Sequence, residues 1–128
     1  MTRKVLVIED AVDNRQIIRD LLTHAGFDTI EAADGAAGLE MASMHRPDLI
    51  LMDIQLPVMD GYETTRRIKA DPALRHIPVI AVTSYALSGD DAKTRAAGCD
   101  GYVAKPFSPR QLLAAIHRFL PPEAVNHA

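Results

Sequence analysis

Glu9-Asp10, Asp53, Thr83 and Lys105 share one feature: each follows directly on a short apolar run, Val5 to Ile8, Leu49 to Met52, Ile77 to Val82 and Tyr102 to Ala104 respectively. Brought together, these residues would place three carboxylates, a hydroxyl and an ammonium in one site. Three carboxylates are unstable alone, since two unit charges about 4 Å apart repel by roughly 4 kcal/mol at an effective dielectric near 20. Lys105 supplies one positive charge, and a divalent hard cation completes the balance: −3 from Glu9, Asp10 and Asp53, +2 from metal, +1 from Lys105. Oxygen-only ligands point to Mg²⁺, with Mn²⁺ as the alternative, keeping several waters and sharing a phosphoryl oxygen. Calcium suits the sequence less, because no twelve-residue loop of alternating oxygen ligands occurs. His24, His45, His76, His117 and His127 are scattered without ligand spacing, so zinc is not expected.

A carboxylate beside Mg²⁺ and a lysine acts as a nucleophile towards phosphorus, giving an aspartyl phosphate. Such a step needs no general base, because an aspartate is already ionised at neutral pH. The product adds about one negative charge, and the Thr83 hydroxyl is placed to donate to the new oxygen. That contact would draw the following loop inwards, which is what a switch needs.

The elements that must position these groups read as β-α five times. Leu49 to Met52 is a run buried on both faces, stopped by Pro57 and Gly61. After the first strand, Asp13-Asn-Arg-Gln16 has capping-box spacing, and Ile17, Ile18, Leu21, Leu22 and Ala25 form a helical stripe that Gly26 ends. Phe27 to Ala32 is half-polar and suits a sheet edge. A second helix runs from Ala36 to about Met44 with Leu39 as its core residue, and Arg46-Pro47 closes it. Tyr62, Thr65 and Ile68 share one face of the third helix, whose last turns are basic. Ser88 and Asp91 open a fourth helix reaching Gly98, which buries only Ala92, Ala96 and Ala97 and is therefore loosely held. Ser108-Pro109-Arg110-Gln111 combines a capping box with proline at the first helical position. Leu112, Leu113, Ile116, Phe119 and Leu120 complete the last stripe, ended by Pro121-Pro122.

This alternation predicts an α/β, doubly wound, five-stranded parallel sheet of order 2-1-3-4-5, a flavodoxin-like (βα)5 architecture. In a parallel sheet the residues after the central strands lie on one edge, at the switch point between strands one and three.

Composition narrows the function. The chain has 128 residues, of which 48% are hydrophobic and 24% charged, so one globular domain is expected: residues 1–121, with 122–128 a short tail. A net charge of −3 argues against a nucleic-acid partner. No apolar run approaches 18 residues, so no membrane segment is expected. The single cysteine, Cys99, reads as a packed residue, and the default location is the cytoplasm.

These residues resemble the receiver domain of two-component response regulators (CheY-like), from Lys4 to Leu120. The resemblance implies that Asp53 accepts phosphate from a sensor histidine kinase or a histidine phosphotransferase. It implies that Glu9, Asp10, Asp53 and the backbone carbonyl of Gln55 hold Mg²⁺ and that Lys105 contacts the phosphoryl group. Thr83 and Tyr102 would be the coupled switch pair, and Lys105-Pro106 a cis peptide. Pro57 and Gly61 match the family's loop after the phosphoacceptor, and the resemblance implies that Gln55 and Tyr85 tune phosphate lifetime; a side chain as bulky as that of Tyr85 would be expected to screen the acyl phosphate from water. Such a domain is a signalling switch, catalysing only its own phosphoryl transfer and slow dephosphorylation.

The pattern looks most like stand-alone receivers of the cell-cycle and polarity type. Output would come from protein–protein contact by a monomer or weak dimer. The phosphodonor would dock near the first helix and the fifth βα loop, and a downstream protein target would read helix four, strand five and helix five.

Other readings fit less well. An aspartyl-phosphate phosphatase of the haloacid-dehalogenase type needs an acid two residues after its nucleophile, where Gln55 stands. A flavin mononucleotide carrier needs a hydroxyl- and glycine-rich loop after strand one, whereas Glu9-Asp10-Ala-Val-Asp13 repels phosphate. Neither GxGxxG nor GxxxxGK[ST] occurs.

Overall fold

The computed structural model describes residues 3–56, 59–83 and 90–121. Strands β1 (Lys4–Ile8), β2 (Asp28–Ala32), β3 (Leu49–Asp53), β4 (Val79–Thr83) and β5 (Gly101–Ala104) alternate with helices α1 (Val12–His24), α2 (Gly35–His45), α3 (Gly61–Ala70), α4 (Asp90–Ala97) and α5 (Pro109–His117). The strands form one all-parallel sheet of order β2-β1-β3-β4-β5, the expected doubly wound topology. Every residue of β3 and β4 is buried, whereas β2 buries only Ala32 fully, as its half-polar sequence requires of an edge.

Alternation along the strands feeds two cores. Val5, Val7, Leu49, Leu51 and Val103 pack with Ile18 and Leu22 of α1 and Leu112 and Ile116 of α5. Leu6, Ile8, Ile50, Met52, Val79 and Ala81 pack on the opposite face with Ala42 of α2, Ile68 of α3 and the buried Cys99.

Several local expectations change. Asp13 does not cap α1; the helix starts earlier, its N-cap is Ala11, and Asp13 lies in the first turn. The Ala11 N–H is instead taken by the Glu9 carboxylate, at 3.2 Å. Ile17 faces outwards at 60% exposure, so Ile18 and Leu22 anchor the helix. In α2 the buried positions are Gly35, Gly38 and Ala42, and Leu39 is only half-buried. A Cβ at Gly38 would run into the Ile8 side chain, so this helix lies too close to β1 for a larger residue at that point. Strand β4 begins only after Pro78, which has no N–H to give to a ladder. In α4, Ala97 is buried as expected, but Ala92 and Ala96 are exposed and Thr94 takes the inner position. Ser88 lies outside the described residues. Gly26 does end α1 at φ +94°, and the Ser108–Gln111 capping box with its leading proline forms as read. Helix α5 stops at His117, leaving Phe119 and Leu120 half-buried in the turn beyond it.

Candidate functional site at the carboxyl edge of the sheet

Strand register brings the polar residues together. Ile8 pairs with Met52, so Glu9 stands level with Asp53; Asp53 pairs with Val82 and Thr83 with Ala104, so Lys105 follows one step on. The backbone continues this register past the strand ends, since Glu9 N–H donates to Ala32 O at 3.0 Å and Lys105 N–H to Thr83 O at 2.8 Å. Carboxylate oxygens of Glu9, Asp10 and Asp53 lie within 4.8 Å of one another. Glu9 is 2% exposed and Asp53 4%, while Asp10 is exposed to solvent.

Lys105 Nζ sits 3.4 Å from Glu9 Oε1 and 3.5 Å from Asp53 Oδ1, between the two buried carboxylates. The Gln55 N–H donates to Asp53 Oδ1 at 3.1 Å. One ammonium does not satisfy this much negative charge. Burial first, and then the Asp53 charge, push the Glu9 carboxyl up from 4.5 to about 7, against the opposing pull of the Ala11 N–H and Lys105. An all-oxygen cluster with two buried carboxylates and one exposed, in which the Glu9 proton affinity is raised this far, fits a hard divalent cation.

The other predicted residues lie at the same edge of the sheet or, for Tyr102, two residues short of it. Thr83 is 1% exposed at the end of β4, and Tyr102 on the neighbouring strand is 45% exposed. The Lys105-Pro106 peptide is cis. Gln55 lies on the surface immediately after Asp53 and Ile54. Pro57 and Tyr85 fall outside the described residues. At Gly61 a Cβ would meet Asp53 O at 2.5 Å and Ile54 Cα at 2.7 Å, so α3 begins against the backbone that carries Asp53 and leaves no room for a side chain. Beside the cluster, Asn14, Ile17, Ile18, Lys105, Pro106 and Phe107 line a cavity of about 570 Å³ between α1 and the loop after β5.

One contributor was not legible in the sequence. Arg15 donates from Nη1 to the Glu9 carbonyl at 2.9 Å and from Nε to Glu31 Oε1 at 3.0 Å. No spacing rule connects Arg15 to Glu31, because the pair joins a helix to an edge strand.

A five-stranded parallel sheet of this order, with an acidic cluster and a lysine at its switch point, defines a receiver-type α/β domain. The sequence profile of the response regulator receiver domain matches residues 5–117, and the chain belongs to that family, the receiver domains of two-component systems. It is 45% identical over 120 residues to the polar-differentiation response regulator DivK of Brucella ovis, across 94% of this chain and 98% of that one. The receiver domain of the sensor histidine kinase PA1611 of Pseudomonas aeruginosa, solved with a magnesium ion coordinated in its active-site cleft, superposes with a TM-score of 0.88. It is 38% identical, over 94% of this chain and 98% of that one. The chemotaxis protein CheY4 of Vibrio cholerae also superposes at 0.88, with 30% identity over 93% and 99% of the two chains. Among the described residues, no helix is long and apolar enough to cross a membrane.

Proposed function

We propose that this chain is a phosphoacceptor of a two-component phosphorelay, with Asp53 as the accepting residue. The observation that carries the reading is the setting of the Asp53 carboxylate. It is buried, oriented by the Gln55 N–H, within 3.5 Å of Lys105, and grouped with Glu9 and Asp10. An Asp53 oxygen attacks phosphorus and forms the O–P bond, while the donor's bond to phosphorus breaks and its electron pair leaves with the donor. Lys105 pairs with the arriving phosphoryl oxygens, exchanging one anionic partner for another.

Glu9, Asp10, Asp53 and the backbone carbonyl of Gln55 would hold Mg²⁺, whose positive charge would offset the negative charge of the transferring oxygens. The oxygen-only cluster and the magnesium in the related Pseudomonas receiver support this choice. The Thr83 hydroxyl donates to the new phosphoryl group, and Tyr102, one strand away, responds as its switch partner. The phosphodonor is a sensor histidine kinase or a histidine phosphotransferase. It docks over the α1 cavity beside Lys105, where exposed Ile17 offers an apolar contact. A downstream protein reads α4, β5 and α5. Similarity to regulators named for polar differentiation supports a signalling role of that kind, carried out in the cytoplasm by a monomer or weak dimer.

Intact mass after incubation with a small acyl-phosphate donor and Mg²⁺ tests the reading. One phosphoryl adduct is expected on the native protein and none on Asp53→Asn. Persistence of the adduct on Asp53→Asn overturns Asp53 as acceptor, and repeated turnover of generic phosphate esters favours a phosphatase.

A further inference from the structure

Glu9 is where the chain leaves β1 while still bonded to the sheet. Its N–H closes the β1–β2 ladder on Ala32 O, and its carboxylate takes the Ala11 N–H. Its carbonyl is held by a side chain, Arg15 Nη1, at 2.9 Å. The same guanidinium is anchored through Nε on Glu31 at 3.0 Å, and Arg19 Nη1 holds the other Glu31 oxygen at 3.2 Å. Arg15 and Glu31 are 19% and 26% exposed, so the pair is largely shielded from solvent.

We propose that Arg15 is a positioning residue for the acidic site: gripping the Glu9 carbonyl from its anchor on Glu31, it sets the Glu9–Asp10 peptide plane and so aims the Asp10 carboxylate into the cluster. The peptide bond is planar, so the direction of the Glu9 carbonyl dictates where the Asp10 Cα is placed. Buried Glu9 is also held by packing, but exposed Asp10 is not, and its place in the cluster therefore depends most on that plane. The rigid guanidinium fork is what allows one side chain to reach an edge strand and a backbone carbonyl together; a lysine ammonium offers a single point. This inference rests on the reading of Glu9 and Asp10 as Mg²⁺ ligands, whose orientation by an outer residue commonly matters 10- to 100-fold in affinity.

The test is calorimetric titration of Mg²⁺ into the native protein, Arg15→Met, Arg15→Lys and Glu9→Gln, together with amide hydrogen exchange at Asp10 and Ala11 in metal-free protein. Arg15→Met is expected to weaken Mg²⁺ binding about tenfold or more and to speed exchange at both amides, and Arg15→Lys should not restore either. Native Mg²⁺ affinity in Arg15→Met overturns the inference, even if that variant is less stable. Full rescue by Arg15→Lys overturns the fork geometry in favour of charge alone. Loss of binding in Glu9→Gln with native binding in Arg15→Met leaves the metal reading standing and removes only this one. Native binding in Glu9→Gln, or no Mg²⁺ binding by the native protein, overturns both.

Discussion

Replacing Glu9 by glutamine should make the metal-free protein more stable at pH 8. Glu9 is 2% exposed, and its carboxyl is raised from 4.5 to about 7, chiefly by burial and then by Asp53. In this range the folded state binds more protons than the unfolded state, so stability falls as pH rises. The contribution is fully present below about pH 4.5 and is lost as pH passes about 7. At about 1.4 kcal/mol per pH unit, the fall attributable to this group is on the order of 3–4 kcal/mol at most. Glutamine retains a carbonyl oxygen for the Ala11 N–H and carries no charge to set against Asp53. Urea denaturation followed by far-ultraviolet circular dichroism, which suits a chain without tryptophan, gives the comparison at pH 5, 6, 7 and 8 in a chelator. The native protein should lose stability relative to Glu9→Gln across this series, and the gap should close or reverse when Mg²⁺ is added. Parallel pH profiles for the two proteins would refute the reasoning.

Lys105→Met removes the cation between Glu9 and Asp53 and should slow phosphoryl transfer from a small donor by about 10²-fold; an unchanged rate of adduct formation by mass spectrometry would exclude the proposed contact. Gly61→Ala forces a Cβ to 2.5 Å from Asp53 O and should lower stability by about 1–3 kcal/mol, read by urea denaturation, with slower phosphorylation of Asp53. Tyr85→Ala should speed loss of the phosphoryl group if that side chain screens it from water, and equal lifetimes in native and variant protein would discard that role.

Burial explains which expectations transferred to the structure. Residues Leu49 to Asp53 lie in a strand covered on both faces, so an unbroken apolar run was a faithful signal. The helices were harder to read because only one side is covered, and a shift in rotation exchanges inner and outer residues. Thus Ile17 turned outwards beside buried Ile18, and Thr94 displaced Ala92 and Ala96 from the inner face of α4. The Asp13 capping box failed for a different reason: the helix begins at Val12 with Ala11 as its N-cap, so Asp13 already lies inside the first turn.

By itself the sequence determined the parallel sheet, its order and the set of polar residues at one edge. Apolar runs and turn residues are local, and βα alternation with short connections admits few topologies. Only the tertiary structure decided how these groups meet. Lys105 reaches Glu9 across 96 residues of chain, and Arg15 reaches Glu31 across 16. Those distances follow from strand register and helix rotation, which side-chain packing sets and local periodicity does not encode. The raised proton affinity of Glu9 is decided in the same way, because desolvation and the nearness of Asp53 exist only once the strands are side by side.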